Sequence, residues 1–144
     1  MAVGTFTVYS SAMLAISTGD IDLDTNPMNM ALLTSAYTPS DAHSLFSDVS
    51  GSQVATGGGY TGPVALANQK CTLASATVTF SSDPVNWTNA TFTAKYAVIY
   101  VAASNRLVGY VDLSSGGGSV SGQGGAFSVS GDPTAGWFTI SHTP

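Results

Sequence analysis

The chain has 144 residues, of which only 8% are charged, and its eight Asp against three basic residues give a formal net charge of −5. This length predicts one domain, residues 1–144, that buries a core of its own, and the shortage of cations argues against binding to nucleic-acid phosphates. The single Cys71 excludes an intramolecular disulfide, and no apolar run approaches the ~20 residues that a membrane span needs, so we expect no membrane association.

The N-terminal residues 1–9 alternate weakly between apolar and polar positions, which is typical of either a strand or an extended arm. The first residues lack the basic stretch of a signal peptide, so ordinary secretion is not expected. The period then changes to that of a helix. We predict a short helix from about Ser10 to Ser17, capped by Ser10 or Ser11 and ended by Gly19.

Residues 20–24, DIDLD, alternate carboxylates in the way that opens a calcium-binding loop. The rest of that motif is missing, because Thr25 stands where the loop has Gly and Ala31 where it has a bidentate Glu. We therefore predict a solvated turn or strand edge with Ile21 and Leu23 pointing inward.

Residues 28–37, MNMALLTSAY, follow Pro27 and read as a buried strand. A brief helical turn, capped by Ser40 or Asp41, is predicted over residues 41–47, with Leu45 and Phe46 packed inward. His43 on this turn and His142 near the far end have no paired motif. We interpret His43 as a surface or hydrogen-bonding residue.

Residues 50–62 form a predicted loop built on three consecutive glycines, without the Lys and Ser/Thr of a phosphate-binding loop. Strands are predicted at residues 64–73 and 76–80, the second with strict alternation. A turn at Asp83 and Pro84 then leads to Val85, Trp87 and the hairpin that follows.

Residues 91–113, TFTAKYAVIYVAASNRLVGYVDL, predict the centre of the fold. Alternate positions from Phe92 to Tyr100 are apolar, and the opposite positions become apolar from Ala97 onward, so one face is buried throughout and the other halfway along. A turn at Ser104 and Asn105 lets the return run pair antiparallel as a hairpin.

Residues 114–125, SSGGGSVSGQGG, predict a flexible, exposed Gly/Ser loop, and the last strands are expected at residues 127–130 and 136–141. About eight short strands separated by turn residues, with one or two short helices, indicate a mainly β single domain. A β-sandwich, a jelly roll and a small barrel all fit this pattern.

Two blocks, Ile21–Ser50 and Ala94–Leu113, resemble a family of small structural proteins encoded in tailed-bacteriophage genomes. Members typically show an IDLDTD-like start, an ALLTSAYTP strand, a DAH-FFSDV segment, a GYT turn (here Gly59–Thr61) and an ARYAVIY strand. Members commonly carry charged residues in the N-terminal helix, where this chain has Ser, Ala and Thr. The resemblance covers most of the chain and brings no catalytic residues with it.

The resemblance implies a virion protein made in the host bacterial cytoplasm, and for a small β protein we expect a capsid decoration or cement role. The expected partners are the major capsid protein or other virion proteins, with the chain itself a homo-oligomer. A neck or tail component is one alternative. A receptor- or carbohydrate-binding module of a phage tail is another, in which Tyr60, Trp87 or Trp137 would stack on sugar rings.

Contact with a partner is expected through the N-terminal arm and through aromatic side chains. The candidate interface residues are Val3, Phe6, Val8, Tyr60, Trp87 and Trp137. With no Glu, one Cys and two isolated His, the chain lacks the usual nucleophile, base and metal-ligand sets, so we expect no enzyme, no metal and no cofactor.

Overall fold

The computed structural model describes residues 4–114 and 117–141, which contain one helix, α1 (Ser10–Thr18), and two single 3-10 turns at Phe46–Asp48 and Ser50–Ser52. The strands within these residues are β1 (Thr7–Val8), β2 (Met28–Leu33), β3 (Val64–Ala65), β4 (Lys70–Ala74), β5 (Thr77–Ser81), β6 (Val85–Trp87), β7 (Thr93–Ala94), β8 (Tyr96–Val101), β9 (Leu107–Asp112), β10 (Val120–Ser121), β11 (Phe127–Val129) and β12 (Phe138–Ser141). The prediction of a mainly β protein is confirmed.

A five-stranded antiparallel sheet with the order β1-β9-β8-β2-β3 forms the centre of the molecule. The predicted hairpin is its core, since β8 pairs with β9 on one side and with β2 on the other. Ala97, Val98 and Ile99 are completely buried because both faces of β8 are covered. The apolar run on both sides of this strand therefore predicted its central position correctly.

Different layers cover the two faces of this sheet. On the face that carries Tyr100 and Tyr110, the Tyr110 ring lies 5.3 Å from the ring of Tyr9, and Phe46 stacks on Tyr100 at 4.2 Å. The opposite face meets the smaller sheets, where a methyl group added to Gly109 would overlap the ring of Phe6. The molecule is thus layered, with the five-stranded sheet in the middle.

Three smaller sheets complete the described fold: β12-β5-β4, β10-β7 and β11-β6. Tyr60 connects this side of the fold to the central sheet. Its ring lies 5.9 Å from that of Trp87 and 5.6 Å from that of Phe92, and its hydroxyl accepts a hydrogen bond from the backbone N–H of Leu32 in β2. Sheets of five, three, two and two strands do not confirm a jelly roll.

The helix begins and ends where predicted, but its N-terminal cap differs. Gly19 adopts a left-handed φ of 87°, and its N–H contacts the carbonyls of Ala15 and Ile16, as expected of a glycine that ends a helix. At the start, Tyr9 is the capping residue and no side chain caps the helix, so the predicted Ser caps are wrong. Anchoring of Tyr9 in the core fixes this end instead.

Three other boundaries also differ from the prediction. The predicted strand 64–73 divides into β3 and β4, which lie in different sheets, because the chain turns at Asn68 with a φ of 52°. The strand predicted to run to Tyr37 ends at Leu33. The predicted Gly/Ser loop at 114–125 contains the short strand β10, paired with β7.

The helical turn predicted over residues 41–47 forms later, at Phe46–Asp48. The Asp48 carboxylate accepts hydrogen bonds from the N–H groups of Ser44 and Leu45, which places the cap at this point rather than at Ser40 or Asp41. Leu45 is exposed rather than packed inward. Phe46 is partly buried against the core, as predicted.

Candidate partner-binding surface

The sheet of β4, β5 and β12, here called the outer sheet, carries an exposed row of apolar side chains. Leu73, Val78 and Ile140 lie directly opposite one another across the three strands. Leu73 is 74% exposed and Ile140 is 49% exposed, whereas Phe80, two positions along the same face, is buried. The inner half of this face packs on the core, and its outer half, the apolar row, meets solvent.

The opposite face of the outer sheet is polar. Thr72, Thr79 and Thr139 form one row across the three strands, and the two outer members of this row are exposed. Within the residues that the structure describes, β4 and β12 each pair with β5 alone. The free edge of β4 is occupied at Cys71, whose N–H donates to Asp24 Oδ1, whereas the free edge of β12 is open. The outer sheet therefore offers an apolar row and the open edge of β12 to a partner.

A groove of about 1080 Å³, here called the β12 groove, lies at the start of the open edge of β12, at Phe138 and Thr139. One wall is the N-terminal segment 4–6 with the end of β9, and the other is the turn 130–136 with the start of β12. A second groove, of about 530 Å³, lies on the other side of the same turn and is lined in part by Lys70 and Asp83.

Aromatic rings form the apolar part of the β12 groove. Phe6 stacks on Phe138 with ring centroids 5.7 Å apart, and its centroid lies 6.1 Å from that of Trp137. The indole N–H of Trp137 donates to the hydroxyl of Ser82, which fixes the orientation of the ring. Gly136 has a φ of 62°, and a side chain there would overlap the backbone oxygen of Phe80, so this turn needs glycine.

Two carboxylates line the β12 groove, and both are hydrogen-bonded. Asp112 Oδ2 lies 3.1 Å from Lys95 Nζ, and Asp112 Oδ1 accepts from the N–H and the hydroxyl of Ser114. Desolvation acts in the opposite direction, but the hydrogen bonds from Ser114 and Lys95 outweigh it and hold the pKa of Asp112 below its ordinary value. Asp112 is therefore an anion held in place by its neighbours.

Asp132 organises the turn before β12. Its Oδ1 accepts from the N–H groups of Ala135 and Thr134, both at 2.8 Å, and these bonds lower the pKa of Asp132. Within the described residues, its other carboxylate oxygen makes no hydrogen bond, and Asp132 lines both grooves. This carboxylate leaves a negative charge available to a ligand.

A chain of hydrogen bonds joins Tyr9, Tyr37 and His43 on the opposite side of the molecule. The two tyrosine hydroxyls are 2.6 Å apart, and the Tyr37 hydroxyl lies 3.1 Å from His43 Nδ1. Burial, followed by the hydrogen bond to Tyr37, raises the pKa of Tyr9, and burial raises that of Tyr37. The chain holds the start of α1 against segment 37–43, and the interpretation of His43 as a hydrogen-bonding residue is confirmed.

The acidic segment 20–24 forms a turn, as predicted, with Ile21 and Leu23 buried. The carboxylate of Asp22 accepts from the hydroxyl of Thr25 and from backbone N–H groups of the same turn, which lowers its pKa. The described part of the chain contains no group of three or more His, Cys, Asp or Glu able to hold a metal ion.

The predicted interface residues fall into four groups. Phe6 and Val8 are half-buried, Phe6 at the β12 groove, whereas Val3, like His142, lies outside the described residues. Tyr60 and Trp87 are 1% and 2% exposed, so an interface role for them does not fit their place in the core. Trp137 is 5% exposed and reaches a partner only through the groove that it lines.

The most exposed members of this surface, Leu73 and Ile140, are not among the predicted interface residues. Their alternation predicted strands correctly, but only the register across β4, β5 and β12 brings them into one row.

Comparison with models of known protein families, with curated proteins and with solved structures finds no match to this chain. Among the described residues, no helix is long and apolar enough to cross a membrane.

Proposed function

We propose that this protein is a structural component of a tailed-bacteriophage virion, where it decorates the capsid and cements contacts between neighbouring capsid subunits. The observation that carries the proposal is the apolar row Leu73, Val78 and Ile140 on a sheet whose β12 edge is open among the described residues. Contiguous apolar groups exposed on a sheet are typical of surfaces that bind another protein. The resemblance of Ile21–Ser50 and Ala94–Leu113 to small phage structural proteins is the reason for proposing a phage virion as the assembly.

Attachment in this proposal depends on apolar contact and backbone pairing rather than on ion pairs. The chain has only three basic side chains; Lys95 contacts Asp112, and Arg106 lies 3.9 Å from Asp20. Exposed ion pairs contribute only about 0–1 kcal/mol each, so they add little to a stable attachment. The protein is made in the host bacterial cytoplasm and repeats by symmetry as a homo-oligomer on the particle.

A neck or tail position is the second candidate, because the same apolar row serves any symmetric assembly. The carbohydrate-binding alternative loses support from the burial of Tyr60 and Trp87. Of the three rings expected to stack on a sugar, this leaves Trp137, which is 5% exposed and lines the β12 groove. An enzymatic role is not part of the proposal.

The test is to wash purified particles that carry the protein in about 1 M sodium chloride, where the Debye length is ~3 Å, and separately in urea below the unfolding range. We expect the protein to stay bound in salt and to be released by urea, because urea weakens apolar burial and salt screens exposed charges. Release by salt alone would contradict the cementing mechanism. Absence of the protein from purified particles would overturn the function itself.

A further inference from the structure

We infer that the β12 groove is an acceptor site for an extended segment of a partner protein, which adds to β12 as a further strand and places a basic side chain beside Asp132. Identifying the partner as a capsid subunit rests on the proposed function. The acceptor site itself does not.

The open edge of β12 provides the backbone chemistry. β12 pairs with β5 through Phe138–Ser141, and no described strand lies on its other side. An edge strand presents N–H and C=O groups to solvent and is a template for one more strand. The groove runs along the start of this edge, at Phe138 and Thr139, so an incoming segment finds both a wall and unpaired backbone.

The groove also specifies the side chains of the segment. A volume of about 1080 Å³ exceeds what one side chain fills and suits several residues of extended chain. Side chains of a strand alternate between two sides, so every second residue would point toward the rings of Phe6, Trp137 and Phe138. Apolar residues at these positions, with polar residues between them, match the groove.

Charge distinguishes the partner from a second copy of this chain. Asp112 is already balanced by Lys95, whereas Asp132 has a carboxylate oxygen that accepts no hydrogen bond within the described residues. Arg106 faces Asp20, so of the three basic residues of this chain only Lys70 is left. Lys70 lies on β4, where Asp24 Oδ1 already accepts the N–H of Cys71, so that edge of a second copy is not free to add to β12. The complement is a segment that carries Lys or Arg, which points to a different protein.

The experiment uses the full chain and a synthetic ten-residue peptide that alternates Val and Thr and carries one central Lys. We expect saturable binding by calorimetry, and slower amide hydrogen exchange in β12 when the peptide is bound. Two control peptides accompany it. In one, alternate residues are Pro, which has no N–H to donate, and binding should be lost; in the other, Glu replaces Lys, and binding should weaken.

Thr139 and Thr72 offer a matched pair of variants, because they occupy one row at opposite edges of the outer sheet and both are exposed. Thr139→Arg fills the β12 groove and should reduce affinity at least about tenfold, equivalent to ~1.4 kcal/mol. Thr72→Arg should leave binding unchanged. Asp132→Asn keeps an oxygen that can accept the hydrogen bonds of the turn and removes the charge. It should lower the affinity for the Lys peptide about two- to fivefold and should not lower the affinity for the Glu peptide.

Each contrary outcome has a distinct meaning. Equal binding of the Pro peptide, or equal loss in Thr72→Arg and Thr139→Arg, overturns strand addition at β12. Failure of the Val/Thr/Lys peptide to bind also overturns it, as does binding in the groove of a neutral oligosaccharide such as maltoheptaose in place of the peptide. If the peptide binds but the protein is absent from particles, the proposed function fails and the acceptor site stands.

Discussion

The ring of Phe6, from the N-terminal segment, stacks on the ring of Phe138, in β12, with centroids 5.7 Å apart and planes inclined by 11°. The same ring lies over Gly109 in β9, where any side chain would overlap it. One aromatic side chain therefore connects the outer sheet to the central sheet. Because these residues come from opposite ends of the chain and from its middle, the contact forms only in the complete fold.

Phe6→Ala should lower the free energy of unfolding by about 2 kcal/mol, less than the 3–5 kcal/mol typical of a fully buried Phe, because Phe6 is half-buried. Gly109→Ala should also destabilise, by about 1–3 kcal/mol, since its methyl group would meet the Phe6 ring and the Thr7 oxygen. Urea denaturation of both variants and of the double variant measures the coupling.

In the double variant, the cost of Gly109→Ala should shrink because the ring that it displaces is gone. Thr5→Ala, at an exposed neighbouring position, is the control and should change stability by less than about 0.5 kcal/mol. Strict additivity of Phe6→Ala and Gly109→Ala would show that the two residues are not coupled.

The central hairpin and this contact differ in how well the sequence predicted them. The hairpin follows from local pattern, because alternation from Phe92 to Tyr100 and a turn at Ser104–Asn105 predict antiparallel strands whatever surrounds them. Gly19 likewise marked the helix end through a local conformational requirement. Elements determined by neighbours in sequence were thus predicted well.

The candidate site depends on which strands pair with one another, and no short segment of the sequence determines that pairing. Leu73 and Ile140 form a row only through their separate pairing with Val78 on β5. Large aromatic residues were expected at an interface, yet Tyr60 and Trp87 fill the core because burial of their large apolar area stabilises the fold more than exposure would. The sequence shows which large aromatic residues the chain contains, but only the packing of the fold shows which of them lie in the core and which at the surface.

The buried hydroxyl pair gives a second prediction. Tyr37→Phe removes the hydroxyl that bonds to Tyr9, which is 1% exposed, and leaves the Tyr9 hydroxyl buried without that bond. An unsatisfied buried group costs about 1–3 kcal/mol. The double variant Tyr9→Phe/Tyr37→Phe removes both partners, so it should be more stable than Tyr37→Phe alone in chemical denaturation. A double variant whose loss equals the sum of the two single losses would contradict this account.

Asp112 gives a third prediction, on pH. Its pKa is held below the ordinary 3.8, so the unfolded chain takes up this proton more readily than the folded one. The stability that results is present above about pH 4 and is lost as the pH falls through the lower folded pKa. Asp112→Asn should reduce stability at neutral pH and flatten its decrease between about pH 5 and pH 2, followed by urea denaturation at each pH.

Asp41→Asn is the matched control for this measurement, because Asp41 is exposed and its carboxylate makes no hydrogen bond or ion pair within the described residues. It should leave the pH dependence of wild type intact. Identical pH profiles for Asp112→Asn and wild type would mean that the contacts of Asp112 with Lys95 and Ser114 do not stabilise the fold.

The last prediction compares the same chemical change at two apolar positions in strands. Val98→Asp places a charge in β8 at a completely buried position without a partner, which costs several kcal/mol of a total stability of about 5–15 kcal/mol, so soluble folded protein should not be obtained. Leu73→Asp places the same charge on β4 at a position that is 74% exposed, so the protein should fold and its melting temperature should change little. Circular dichroism and thermal melting distinguish the two.

Under the proposed function, Leu73→Asp should also weaken attachment to particles, because the aspartate would have to lose its water when the apolar row becomes covered. Thr72→Asp, at the adjacent exposed position on the opposite face, adds the same charge outside the row and controls for net charge. Binding of each variant to particles stripped of the protein is measured by sedimentation. Equal binding of Leu73→Asp and wild type would remove the apolar row from the attachment surface, whereas selective loss in Leu73→Asp identifies the face of the outer sheet that meets the partner.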